Sequence, residues 1–175
     1  MERTEVLSTR RTTLTTWQPD DLDDLHRMHS DPETMRFIGG QPETREESRD
    51  RLGRYLAEQE TPGWTKWRVT DADGRMIGRA GFGTLDGHRD LGYTYVRSAW
   101  GQGIATEVAQ ALVAWHRANP ELAEDGSRLP LSGHAQVEHL ASRRVLVKAG
   151  LVPVDVRELH GSACAYLLLP EDARG

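Results

Sequence analysis

The chain has 175 residues, of which 37% are hydrophobic and 28% charged, enough for one buried core, and no apolar run approaches the roughly 20 residues of a bilayer span. A net charge of -5 and a pI near 5.8 argue against nonspecific nucleic-acid binding and favour a cationic substrate such as an amine. The single cysteine, Cys164, excludes an internal disulfide and a cysteine-based metal cluster, and the polar residues 1–16 carry no secretory pattern, which points to the cytoplasm.

In chain order, residues 12–17 read as a first strand. Pro19 and the acidic Asp20, Asp21, Asp23 and Asp24 suit a helix start, with Leu22, Leu25 and Met28 as its apolar stripe. Thr44 and Glu47 have capping-box spacing ahead of Leu52, Tyr55 and Leu56, so residues 44–60 read as a second, very polar helix with a narrow buried face. Trp67 and Val69 alternate with polar residues before Asp73-Gly74, and residues 76–82 follow as the return strand. A second turn, Asp86-Gly87, leads into a strand over residues 91–96.

Ile104, Val108, Ala111, Leu112 and Trp115 then fall on one face of a helix that should end near Asn119-Pro120. Residues 128–135 read as a weak strand, which Pro130 confines to an edge or irregular position. Val137, Leu140, Ala141 and Val145 mark a helix stopping at Gly150. Val152, Val154 and Val156, a turn at Gly161 and the run 163–169 close the chain as a hairpin. The whole is a single mixed α/β domain over residues 1–175, with helices on the faces of a sheet.

The chemistry is concentrated where the strand at Tyr93 to Val96 enters the turn Trp100-Gly101-Gln102-Gly103 and the helix Ile104-Ala105-Thr106. Glycines 101 and 103 leave backbone N–H groups uncovered, and the helix start adds its unpaired donors and positive dipole end, which together suit a pyrophosphate. A nucleotide P-loop needs Gly-Lys-Ser/Thr, which is missing. A dinucleotide fingerprint wants a small residue where Thr106 stands, and it opens a βαβ unit rather than following a meander.

The third reading comes from resemblance. Trp100-Gly101-Gln102-Gly103-Ile104-Ala105-Thr106-Glu107 is similar to the acetyl-CoA loop of the GNAT N-acetyltransferases, in which Arg/Gln-x-x-Gly-x-Gly/Ala joins the fourth strand to the third helix. Trp100 replaces the Arg/Gln, as in the Rim-type branch, which includes the acetyltransferases of ribosomal-protein N-termini. The resemblance extends over residues 31–40, Met76-Ile77-Gly78, Ala141-Ser142 and residues 148–150. It implies a mostly antiparallel twisted sheet splayed between the fourth and fifth strands and flanked by helices. It also implies acetyl-CoA as co-substrate, held by Tyr95, Val96 and residues 100–106, with a strand N–H polarising the thioester carbonyl.

The same resemblance assigns the side chains. Asp90, two positions after His88, stands where the family commonly has a carboxylate, and either is a proton relay or a solvated turn end. His134 ends the fifth strand, at a place that faces substrate in this fold. His139 replaces the family's Asn beside pantetheine, and Leu146 replaces its Tyr proton donor. Ser142, matching the serine of the Rim-type Asn-x-x-Ser, inherits the general-acid role. The expected activity is direct transfer of acetyl to a primary amine, on a small molecule or a protein N-terminus, by a monomer or homodimer without metal, nucleic acid or membrane. The competing reading is an acyl-CoA sensor without turnover.

Overall fold

The computed structural model describes residues 2–122 and 126–172. Among these, eight strands are hydrogen-bonded in the order β1-β2-β3-β4-β5-β6-β8-β7, with five helices between them. By their internal contacts the residues fall into two compact units, Met1–Gly81 with Tyr93–Ile104 and Phe82–Gly92 with Ala105–Gly175. Strands β4 (Met76–Leu85) and β5 (His88–Tyr95) run through both.

The first unit holds β1 (Glu5–Ser8), β2 (Thr13–Thr15), α1 (Leu22–His29), α2 (Pro32–Met35), α3 (Arg45–Glu60) and β3 (Lys66–Thr70). Helix α3 begins as its sequence demands. The Thr44 hydroxyl accepts from the Glu47 N–H at 3.3 Å, and the Glu47 carboxylate accepts from the Thr44 N–H at 2.7 Å. Only Ser48, Leu52 and Tyr55 of this helix are buried, the narrow stripe expected. Leu52 and Tyr55 pack with Trp17, Leu25, Met28 and Met76, and the rings of Trp17 and Tyr55 stack at 5.5 Å. Full burial of one such large side chain is worth about 1.5–3 kcal/mol.

Two elements of this unit escaped the sequence reading. Strand β1 pairs antiparallel with β2, but its two apolar residues, Val6 and Leu7, are adjacent and only half-buried, so no period-2 signal exists. Helix α2 is a single turn capped by Asp31, whose side chain accepts from the Glu33 N–H.

The second unit carries α4 (Ile104–Ala118, its first residue in the other unit), β6 (Leu131–Gln136), α5 (Leu140–Lys148), β7 (Val152–Leu159) and β8 (Ser162–Leu168). The two-residue turns Asp86-Gly87 (φ 51° and 75°) and His160-Gly161 (φ 52° and 77°) both have positive φ at each central residue, which matches strand twist in tight hairpins. Strand β6 corrects the expectation of an edge position: it lies between β5 and β8. Pro130 precedes it, and only the Pro130 carbonyl enters the pairing, accepting from the Arg89 N–H at 3.0 Å. The β5–β6 ladder is parallel and covers just Arg89↔Leu131, Asp90↔Ser132 and Leu91↔Gly133, whereas β6 keeps β8 as partner to Gln136. That early end of the parallel ladder is the splay the resemblance implies.

Register sorts the side chains of this unit. Asp90, Ser132, His134, Tyr166 and Arg157 share one face. On the other face Trp115 of α4 meets Phe82 at 5.5 Å between rings, and Leu146 of α5 lies so close to β6 that a Cβ at Gly133 would be 2.8 Å from it. Both helices therefore cover one side. Strand β7 is the sheet edge, interrupted by an irregularity between Pro153 and Asp155. The Asp155 carboxylate accepts the N–H of Val156 at 2.7 Å.

Candidate active site

The segment joining β5 to α4 is built from local bonds within the first unit. Val96 donates to the Ile77 carbonyl at 2.9 Å, and its own carbonyl accepts from the Ala99 N–H at 3.0 Å as the chain makes a 3-10 turn over Arg97–Ala99. The indole N–H of Trp100 donates to the Tyr95 carbonyl at 2.8 Å, and the Gln102 side-chain amide donates to the Ser98 carbonyl at 2.6 Å. Trp100 thus ties the turn to the strand end while its ring stays 49% exposed. The Tyr95 side chain is buried, and burial pushes its hydroxyl pKa up, so only its backbone is offered to a ligand.

Gly101 and Gly103 have φ of 72° and 77°, a region side-chain-bearing residues rarely adopt. A Cβ on Gly101 would meet nothing within 4 Å, and one on Gly103 only the Arg11 guanidinium at 3.7 Å. The turn therefore presents bare backbone followed by the start of α4, whose first N–H groups have no intrahelical partner. Ala105 and Thr106 there are half-buried and Ile104 is buried. These residues fit a pyrophosphate. Arg11, from the β1–β2 turn, donates to the Gln102 carbonyl at 2.8 Å, which sets a positive charge beside the turn. Nothing in the sequence near Arg11 signals this, because the partner is ninety-one positions away.

In the second unit the structure brings Asp90 and His134 together. His134 Nδ1 lies 3.2 Å from Asp90 Oδ1 and 3.1 Å from Oδ2. The Ser132 hydroxyl donates to Asp90 Oδ1 at 3.1 Å. With a carboxylate as acceptor, His134 carries its proton on Nδ1 and leaves Nε2 as a base. Asp90 is 6% exposed, so the solvated-turn reading of it does not hold. His88 meets the Tyr166 hydroxyl at 2.9 Å, and the Arg157 guanidinium lies 3.7 Å from the centre of the Tyr166 ring. Burial raises the Tyr166 pKa. Ser132 and Tyr166 are the residues sequence reading missed, the first in a short weak strand and the second inside an apolar run.

Ser142 lies half-buried in the first turn of α5, and His139 is the residue before that helix. Burial lowers the His139 pKa. Helix α5 covers the face of β6 opposite Asp90 and His134, with Leu146 against Gly133. Leu146 is 1% exposed and fills the space left by Gly133. Cys164 is buried, its pKa raised by burial. Among the described residues no helix is long and apolar enough to cross a membrane.

A family model described as an acetyltransferase (GNAT) domain matches residues 11–152. The chain belongs to the GNAT acetyltransferase domain family. Uncharacterized N-acetyltransferase p20 of Bacillus licheniformis is 31% identical over 115 residues, covering 62% of this chain and 64% of its own length. Among solved structures, a GNAT-family acetyltransferase from Bordetella pertussis has a TM-score of 0.78 at 21% identity, covering 94% of this chain and 99% of its own. RimL, a ribosomal L7/L12 α-N-protein acetyltransferase solved with coenzyme A, has a TM-score of 0.76 at 16% identity, covering 94% and 97%. These likenesses show that the chain has the GNAT fold, with the sheet and flanking helices expected.

Proposed function

We propose that the protein transfers the acetyl group of acetyl-CoA to a primary amine, with residues 1–175 acting as one catalytic domain. The observation that carries this is the pairing of buried Asp90 with half-buried His134 at the point where the β5–β6 ladder ends, in a chain of this family. An attacking amine must give up a proton. His134 Nε2 is the acceptor, while Asp90 holds Nδ1–H and stabilises the charge that results, and Ser132 keeps the Asp90 carboxylate oriented. Acetyl-CoA supplies the activated thioester, and its pyrophosphate rests on the bare backbone of residues 101–103 and the start of α4, with Arg11 adding charge neutralisation. A β5 backbone N–H polarises the carbonyl, and Ser142 returns a proton to the departing thiolate. The amine attacks directly, because Cys164 is buried with a raised pKa and has no role as an acyl carrier.

The loop Trp100 to Glu107 supports a Rim-type assignment, and with it a protein N-terminus as acceptor beside small-molecule amines. Release of free thiol from acetyl-CoA in the presence of an amine panel tests the activity. His134→Gln should lower kcat/KM by about 10²- to 10⁴-fold, and thiol release at the wild-type rate would overturn the assignment. One observation favours the second reading, a CoA-binding protein without turnover: Leu146 stands at the position of the family's tyrosine and is committed to the core. Tight CoA binding with no thiol release from any amine would select it.

A further inference from the structure

Arg79, on β4, is 4% exposed, and it makes one hydrogen bond, from Nε to His29 Nε2 at 3.1 Å. His29 is fully buried and donates from Nδ1 to Glu43 Oε2 at 2.9 Å. Glu43 is saturated: it also takes the Ser48 hydroxyl at 3.3 Å and the Arg51 Nε–H at 2.7 Å. One carboxylate thus serves an imidazole, a hydroxyl and a guanidinium. Arg79 makes no hydrogen bond to it and feels its charge only at a distance. Among the described residues its terminal nitrogens have no acceptor and no ion pair. They are not fully enclosed, so a narrow edge still reaches solvent. The Tyr55 ring centre is 5.9 Å from the guanidinium carbon.

A buried guanidinium without a counter-anion is costly, and structures retain such groups where a charge partner arrives. Burial lowers the pKa of both Arg79 and His29. His29 is therefore neutral near pH 7 and accepts the Arg79 Nε–H, which fixes the guanidinium plane and leaves its outer edge for a ligand. We propose that Arg79 anchors an oxyanion-binding site in the first unit, taking a carboxylate or phosphate group through its two terminal nitrogens. The group belongs either to the acceptor amine itself or to a free anion that acts as an effector. Neither alternative requires turnover to be detected, so the proposal stands or falls separately from the acetyl-transfer reading.

The test uses the full chain at constant ionic strength, with inorganic phosphate replacing chloride. The wild-type protein should show a saturable Tm rise of about 3 to 6 °C. Arg79→Gln should lose it, Arg79→Lys should retain part of it, and Arg75→Gln, in an exposed turn, should keep it all. A rise that never saturates, or an equal one in Arg79→Gln, overturns the site. Should the Arg79 variants fail to fold, the arginine Nε–H spectrum of the wild-type protein replaces them: one buried resonance must shift saturably with phosphate, and an unmoved spectrum refutes the proposal. Kinetics then separate the sources. If the anion is part of the acceptor, amines bearing a carboxylate should exceed their amides by about 10-fold or more in kcat/KM, with phosphate competitive against the amine. Phosphate inhibition or activation without competition identifies the free anion.

Discussion

Asp90 and His134 were each legible in the sequence as candidate acid–base residues at a strand end, while their contact with one another was out of reach. Their pairing depends on the three-residue parallel ladder of β5 with β6, a contact across more than forty positions that no local pattern encodes. The same distance hid Ser132, whose hydroxyl completes the carboxylate's bonding. If Asp90 acts through His134 as proposed, Asp90→Asn should lower kcat/KM more at neutral pH than at high pH, where the amine is already deprotonated and needs no base. A pH-rate series that runs parallel to the wild type would return Asp90 to a purely structural role. Ser142→Ala should lower kcat by roughly 10²-fold with unchanged CoA affinity. A wild-type kcat there would leave water as the proton source.

Among the elements, the capped helix α3 and the two hairpins were readable because their signals are local: a capping box in one case, residues able to adopt positive φ in the others. Strand β1 and the central place of β6 were not, since both depend on partners distant in sequence. The turn at residues 100–103 lies between these cases. Its glycines announce a bare backbone, but the arginine beside it comes from the β1–β2 turn. Arg11→Gln should weaken CoA binding by about 10-fold, the loss of one charge-assisted contact, while leaving acetyl-pantetheine, which lacks the pyrophosphate, unaffected. Calorimetric titration of both ligands distinguishes this from a general distortion, which would weaken the two alike.

For the molecule as a whole, two buried imidazoles contribute to the pH dependence of stability between about pH 4 and 6.5. Burial, with the charges of Arg79 and Arg51, outweighs the hydrogen bond to Glu43 and lowers the His29 pKa to about 4. Burial, with Arg128 and Arg89, does the same for His116. The unfolded chain binds both protons near pH 6.5 and the folded chain does not, so their contribution is complete above pH 6.5 and is lost as pH falls toward 4. Each adds a slope of about 1.4 kcal/mol per pH unit in that window. Denaturant melts should show it, and His116→Gln should remove about half. The edge strand β7 has a different consequence. Val152, Val154 and Val156 are 40%, 51% and 61% exposed, β-branched residues on an open edge of the kind that can template fibre growth. Pro153 lacks an N–H, the irregularity beside it breaks the flat edge, and Asp155 occupies the Val156 donor. Shelf life in concentrated solution thus depends in part on one carboxylate, and light scattering of Asp155→Ala should rise over days where the wild-type protein stays clear.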